Sequence, residues 1–519
     1  MRSQPTVPAD QPTAPKRWDR FVIAFILIVL LAAGLRLHAV VTANLWLDEY
    51  WTMELACGRD TTHMHLPVNV LLPSLPSLSS LADARPWWTI PGSLSQVTHP
   101  PLFFLLLRGW WALLGGSDIA ARLLPWTASM TAVVLMYFVA RRINGPKAAL
   151  WAALLMAISG QQIFYAQEIR SYSLIVALGL GALAALIDIE RRGASVRRLA
   201  VLAALTYALL MTHYFTVGLL AAFVVYAAIR LPRRDTVRVA LAFAVAAAAF
   251  AVTWGPFMLK QHAAMGLETV GGAAFLLEHS PHHVAHAFAR LLAVPAQPLA
   301  PASYMNPAGI PPKLAWVGLP LFLAPLFWIR RRPDLLVWYL WVAGVVTPLL
   351  ALDLSRSSMH LAFPRYTLLA APGIFAVFAA GYEWIKGLWQ YVPPAVVTLV
   401  CARLLPASLQ QPQTKDDWQP IATIAAQSMG PDGALVVTAP PGWERATYLY
   451  VAHYLGPVNR PVAILNVPAS PQLLAELHAH SPVWVINGWR GAPPVFGPGR
   501  LRPLASDKVG DFGQLEWPQ

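Results

Sequence analysis

A polytopic α-helical membrane protein, with about eleven transmembrane helices, outward juxtamembrane helices and a small C-terminal α/β domain, is the fold class the sequence predicts. Three observations predict it. Apolar stretches of membrane-spanning length alternate with short basic loops. The composition is 57% hydrophobic and only 12% charged, with a mean hydropathy of +0.51, whereas a soluble chain of this size carries roughly twice that share of charge. Beyond about residue 407 the pattern changes to short helices alternating with short apolar strands.

A bilayer core of about 30 Å is crossed by about 20 apolar residues in a helix. The expected spans are 20–41, 120–141, 147–165, 172–189, 198–213, 214–230, 236–259, 313–330, 335–353, 366–384 and 388–406. With the N-terminus inside, the inner segments hold half of all 38 Lys and Arg, including Arg141-Arg142, Arg191-Arg192 and Arg330-Arg331-Arg332, and that bias sets the orientation. The same distribution accounts for the net charge of +13: the cations lie in loops between spans, so nucleic acid is not an expected partner. Membrane lipids are.

The continuous run 198–230 is split at Thr212-His213-Tyr214 because its 33 residues are too many for one crossing. Pro100 to Gly116 is too short to cross comfortably and contains Arg108. Counted as a span, it would turn the later Arg clusters outward, so it is read as a helix along the outer interface. The outer segments 42–119 and 260–312 then roof a cavity.

Residues 1–17, rich in Pro, Thr and Gln, read as a disordered cytoplasmic tail, and no small-residue cleavage site follows the first apolar run, which is expected to remain as an anchor. Residues 18–406 form the transmembrane body, and 407–519 an extracytoplasmic α/β domain with strands at 434–438, 462–467 and 483–487 in a parallel sheet. That domain has no Gly-x-Gly-x-x-Gly fingerprint and is assigned no nucleotide. Cys57 and Cys401, one in the first outer loop and one in the last span, are not expected to pair.

Chemistry is sought at the acidic pair Asp48-Glu49, just outside the first span. Carboxylates at the headgroup level are costly unless solvated, paired or useful. The plain alternative is a pair that ends the hydrophobic run; the functional reading is a general base for an attacking hydroxyl. Three further segments place a cation or potential cation on the same side: Thr98-His99-Pro100-Pro101, the loop with Glu168, Arg170 and Tyr172, and Phe363-Pro364-Arg365-Tyr366. Singly, Arg and Tyr at span ends anchor the interface. Together, His99, Arg170 and Arg365 face the acidic pair.

The order of Asp48-Glu49, His99-Pro100-Pro101-Leu102, Ala120-Ala121-Arg122-Leu123-Leu124-Pro125 and Tyr165-Ala166-Gln167-Glu168-Ile169-Arg170-Ser171-Tyr172 resembles the bacterial branch of glycosyltransferase family 39 and the aminoarabinose-transferase group. These belong to the GT-C superfamily, related to protein O-mannosyltransferases. The resemblance covers about residues 20–390 and excludes the C-terminal domain. It implies a GT-C-like fold in the bacterial inner membrane and transfer of a sugar from a polyprenyl-phosphate donor to an acceptor lipid, glycan or protein on the outer face. It also implies that Asp48 is the base with Glu49 in support, that Glu168 is a second acidic group near the reacting centre, and that His99 meets the lipid phosphate. The match departs at Trp51, where an Arg is expected, which leaves one phosphate contact unassigned.

The residues fit that chemistry on their own terms. A polyprenyl phosphate is a good leaving group, so the reaction needs a base for the incoming hydroxyl and cations for the departing phosphate. Asp48 meets the first need; Arg170, Arg365 and His99, which helps most when protonated, meet the second, with Tyr172 beside them. Trp51, Tyr366 and His213 are the candidate sugar contacts, and Trp46, Trp87 and Trp88 flank the same region.

No cofactor is expected. His279, His282, His283 and His286 carry helical spacing suited to a divalent metal, but no carboxylate is spaced to complete that site; His63 and His65 form another close pair, and no metal is assigned. Arg36 reads as a snorkelling residue, Asp353 and Arg356 as a structural pair, and Asp416 or Asp417 as a helix cap. Two other functions share the topology: a transporter of lipid-linked glycans and a ligase of whole glycans. Transporters place ionisable groups at mid-membrane, whereas here the carboxylates gather at one rim.

Overall fold

The computed structural model describes residues 20–82, 84–264, 281–301, 312–356, 358–410, 415–489, 496–497 and 499–517; the tail 1–17, His279 and part of the segment 260–312 lie outside them. Each of the eleven expected stretches is helical over most of its length. Among the described residues seven helices are long and apolar enough to cross a membrane: Arg20–Thr42, Asp118–Asn144, Tyr172–Arg192, Arg233–Thr253, Lys313–Arg331, Pro333–Arg356 and Gly387–Gln410. The remaining expected stretches are shorter or broken.

The breaks have physical causes. Helix Pro146–Ile158 stops at Ser159, whose backbone is extended (φ −62°, ψ 123°), and a short helix, Gly160–Tyr165, follows. Carbonyls freed inside apolar surroundings need donors. Arg36, fully buried on the first helix, supplies them: it donates to the Met156 and Ala157 carbonyls (2.7 and 2.9 Å) and to Ser129 Oγ (2.9 Å). Arg36 is therefore an internal clamp and does not snorkel. The run 198–230 also breaks, with one helix ending at Leu210 and the next starting at Thr216. The turn between them carries His213 inward.

Small side chains let the helices approach. Ala148, Ala149, Ala152 and Ala153 are wholly buried at the centre of the bundle, as close helix packing in membranes requires. A Cβ at Gly218 would run into the Gly344 carbonyl and within 2.8 Å of Pro348. Helices Thr216–Arg230 and Leu336–Arg356 thus touch backbone to backbone.

The segment 42–119 folds into a helix Leu47–Ala56, several short turns, strand β1 (Leu71–Leu72) and a helix Leu102–Leu114. The last has 13 residues and at 1.5 Å per residue is about 20 Å long, short of a bilayer core. Beyond the last helix come β2 (Ala434–Thr438), β3 (Val462–Leu465), β4 (Val483–Gly488), β5 (Arg500–Asp507) and β6 (Gly510–Glu516), in the spatial order β1-β3-β2-β4-β6-β5. Strands β3, β2 and β4 run parallel, joined through helices Glu444–Leu455 and Pro471–Ala479. The sheet is mixed rather than parallel, because β6 pairs antiparallel with β4, β5 with β6, and β1 with β3. The β5–β6 hairpin has polar, Gly- and Pro-containing strands that read poorly as β-structure; pairing with the buried β4 supplies what propensity lacks.

The segment 42–119 is sewn to this sheet. Asn69 Nδ2 donates to Asn466 Oδ1 (2.7 Å), Tyr448 Oη to the Pro76 carbonyl (3.0 Å) and Arg445 Nε to the Leu66 carbonyl (2.9 Å). His453 bridges Ser79 Oγ (2.8 Å) and Asp118 Oδ1 (2.8 Å). Ser79 exposes no surface, so this Ser-His-Asp chain is a tether between loop, sheet domain and membrane helix and presents no nucleophile.

Candidate active site

Asp48 and Glu49 occupy the first turn of helix Leu47–Ala56, where the positive end of the helix dipole favours carboxylates. Consecutive helical residues diverge by about 100°, and the pair is split accordingly. Asp48 faces a cavity of about 490 Å³ together with Trp51 and Leu55 on the same helical stripe. Glu49 turns away from the cavity and is fully buried.

The cavity joins distant parts of the chain. His99, Arg170, Tyr172, His213, Arg356, Arg365 and Tyr366 line it with Asp48 and Trp51. Asp48 Oδ2 lies 3.9 Å from Arg170 Nη2 and 3.6 Å from Arg365 Nη1. Both separations exceed hydrogen-bonding distance. Neither guanidinium is used up by the carboxylate, and Arg365 Nε has no hydrogen-bond partner among the described residues. Arg365 rests on the rings of Phe363 and Tyr366 (5.0 and 5.1 Å), and Arg170 on that of Tyr172 (5.8 Å). Those aromatic faces hold the cations without neutralising them.

Arg170 is also positioned by hydrogen bonds. Its Nη1 donates to Thr52 Oγ1 (3.1 Å) and its Nη2 to His99 Nε2 (3.0 Å). An arginine only donates, so His99 Nε2 must accept and the ring proton sits on Nδ1, which has no partner among the described residues. Burial, then the neighbouring Arg170, His213 and Arg365, hold His99 well below the usual imidazole range. The protonated form, which would help most, is therefore not the one present: His99 is neutral and offers one N–H. Burial and Arg170 bring His213 down to about 4, so it too is neutral. Its ring lies 5.3 Å from that of His99.

Glu49 and Glu168 stand behind the cavity and do not line it. Glu49 Oε2 pairs with Lys415 Nζ at 2.7 Å, and Oε1 accepts from the Ile169 N–H at 3.1 Å. Glu168 Oε1 lies 3.5 Å from the same Lys415 Nζ, and neither Glu168 oxygen has a hydrogen-bond partner among the described residues. Burial pushes Glu168 up to about 7; Lys415 opposes that rise, while Glu49 and Asp48 add to it. Lys415 escaped sequence reasoning. It precedes Asp416-Asp417-Trp418, and a lone lysine at a domain boundary gives no sign that it folds back into the core.

This raised value has a consequence for stability. The folded state holds the Glu168 proton more tightly than the unfolded chain, so the contribution is complete below the ordinary 4.5 and is lost as pH rises through about 7. Glu168→Gln is expected to flatten that decline. Thermal unfolding in nanodiscs between pH 5 and 8 checks this, and parallel wild-type and variant curves would refute it.

Other expectations are relocated. Asp353 accepts from the His360 and Leu361 N–H groups (2.6 and 2.9 Å) and pairs with the His360 ring (3.0 Å). Its partner is that turn, and Arg356 instead lines the cavity as a third arginine. Trp87 and Trp88 are 59% and 65% exposed and lie outside the cavity. His63 is buried against Glu54 (2.5 Å). His282 and His286 stack at 4.3 Å, and His283 Nε2 donates to the Asp353 carbonyl (2.7 Å). Asp417 Oδ1 accepts from the Gln419 N–H at 3.3 Å at the start of helix Gln419–Ser428.

Residues 98–258 match the family model described as dolichyl-phosphate-mannose-protein mannosyltransferase. No curated protein matches the chain. Among solved structures, apo ArnT from Cupriavidus metallidurans is similar with a TM-score of 0.57 and 13% identity, over 95% of this chain and 97% of that one. The same protein bound to undecaprenyl phosphate gives 0.56 and 13%, over 95% and 98%. The archaeal oligosaccharyltransferase AglB from Archaeoglobus fulgidus, in complex with an inhibitory peptide and a dolichol-phosphate, gives 0.49 and 11%, over 90% and 69%. The chain shares the fold of this ArnT along nearly its whole length.

Proposed function

We propose that this chain is an integral membrane glycosyltransferase that moves a sugar from a polyprenyl-phosphate donor to an acceptor hydroxyl. One observation carries the reading: the Asp48 carboxylate lies 3.9 and 3.6 Å from two guanidinium groups brought from distant segments, and one of them, Arg365, has an Nε without a hydrogen-bond partner among the described residues. The matched mannosyltransferase model and the fold shared with a protein solved with undecaprenyl phosphate support the lipid-linked donor. The rim cations and the basic loops on the other side support an outward-facing site in a bacterial inner membrane, with the C-terminal domain on the same side.

In this mechanism the acceptor hydroxyl gives its proton to Asp48 as its oxygen attacks the anomeric carbon. The bond from that carbon to the phosphate oxygen breaks, and the phosphate leaves with the electron pair. Arg170, Arg365 and Arg356 receive the charge that develops on it, and the N–H of neutral His99 Nδ1 is a fourth donor. Tyr172 supports Arg170, and Trp51, Tyr366 and His213 line the space left for the sugar.

One displacement inverts the anomeric centre. Purified protein in detergent, given a radiolabelled polyprenyl-phosphate sugar and an acceptor, is expected to transfer the label to a product of inverted configuration. Retention would rule out a single displacement. Movement of intact donor across vesicles, with no cleavage, would favour a transporter.

A further inference from the structure

The buried cluster behind the cavity joins three segments far apart in sequence. Lys415 Nζ lies 2.7 Å from Glu49 Oε2, 3.5 Å from Glu168 Oε1 and 3.4 Å from Gln167 Oε1, with the Phe164 ring 5.3 Å below it. Lys415 and Glu49 expose no side-chain surface and Glu168 only 1%. Glu49 is next to Asp48 on one helix; Glu168 is two residues from Arg170 in one loop. The same ammonium therefore grips the element that carries the proposed base and the element that carries a proposed phosphate ligand.

Lys415 itself is held from the other side. Asn44 Nδ2 donates to its carbonyl (3.2 Å). Three residues on, Trp418 is fully buried in the domain core, stacked on Tyr450 at 5.3 Å. The chain leaving the last helix thus enters the sheet domain at Trp418 and reaches back into the membrane body at Lys415.

We propose that Lys415 is the positioning residue of the reaction centre: through Glu49 and Glu168 it sets the spacing between Asp48 and Arg170, and so makes the geometry of the cavity depend on the C-terminal part of the chain. This rests on the transferase reading. Glu49 is the close charged partner of Lys415, at 2.7 Å and with no exposed side-chain surface on either, so removing the ammonium alone would leave a buried carboxylate without a counter-charge. A fair test removes one charge of each sign.

The full-length protein in nanodiscs is therefore compared with Glu49→Gln/Lys415→Met. The double variant is expected to melt close to wild type yet to lose about a hundredfold in kcat and about tenfold in affinity for undecaprenyl phosphate, because the Arg170 loop is no longer pinned. A folded double variant with wild-type kcat and affinity would overturn the proposal. Should it not fold, Lys415→Arg decides, since it keeps the charge and displaces the head group. A loss of about tenfold in kcat at an unchanged melting temperature supports positioning; unchanged kcat overturns it, and so does failure of both variants to fold. The two readings fail separately: a wild type that transfers from no polyprenyl-phosphate donor fails the transferase, while the undecaprenyl phosphate affinity of the variants still reports on positioning.

Discussion

Asp48→Asn is expected to lower transfer by about a thousandfold or more, as loss of a general base does, while the protein folds and binds undecaprenyl phosphate at least as well as wild type. The second half follows from the geometry. Asp48 competes with any phosphate for Arg170 and Arg365, at 3.9 and 3.6 Å, and at such distances a unit charge matters even in a partly hydrated site. An amide of the same shape removes that competition and leaves the cations. Transfer assays with equilibrium binding of undecaprenyl phosphate read both effects. Wild-type turnover would take Asp48 out of the mechanism, and joint loss of turnover and binding would make its role structural.

Arg170→Ala has the next largest expected effect, about a hundred- to a thousandfold in kcat/KM, the scale for removing one donor to a developing oxyanion. Its guanidinium faces Asp48, holds Thr52 on the helix below it, and fixes the His99 ring by donating to Nε2. Deletion therefore removes a cation and also releases the imidazole whose Nδ1 proton the proposed mechanism assigns to the phosphate. Arg170→Lys restores a point charge without the planar fork, and is expected to recover less than about tenfold of the loss. Full recovery by lysine would show that charge alone suffices. A melting temperature lowered in step with activity would show that Arg170 serves the fold instead.

The motifs that bear these roles are legible in the sequence. Acidic pair, His-Pro-Pro and Glu-Ile-Arg-Ser-Tyr follow one another in an order that resembles a known group of transferases, and Arg365 stands at the opening of a span on the same rim. Their meeting around one cavity was an inference from topology, and the distances from Asp48 place them there. The division of labour within the acidic pair was not legible, because it depends on where a helix begins. With the helix starting at Leu47, neighbours in sequence point about 100° apart, one to the cavity and one to Lys415. The neutral state of His99 has a related reason: burial first, and then three positive or potentially positive neighbours, act on it only in the folded protein.

By itself the sequence determined the membrane class, the helical stretches and most side chains of the candidate site. These rest on short-range rules: apolar run length, charge beside a span end, and local motif order. Only tertiary structure decided that Arg36 closes a helix break, that Arg356 turns to the cavity rather than to Asp353, that residues 71–72 join the C-terminal sheet, and that Lys415 returns to hold two buried carboxylates. The reason is physical. A buried charge or an unpaired carbonyl must find its partner wherever the fold brings one, and that partner's distance along the chain leaves no local trace.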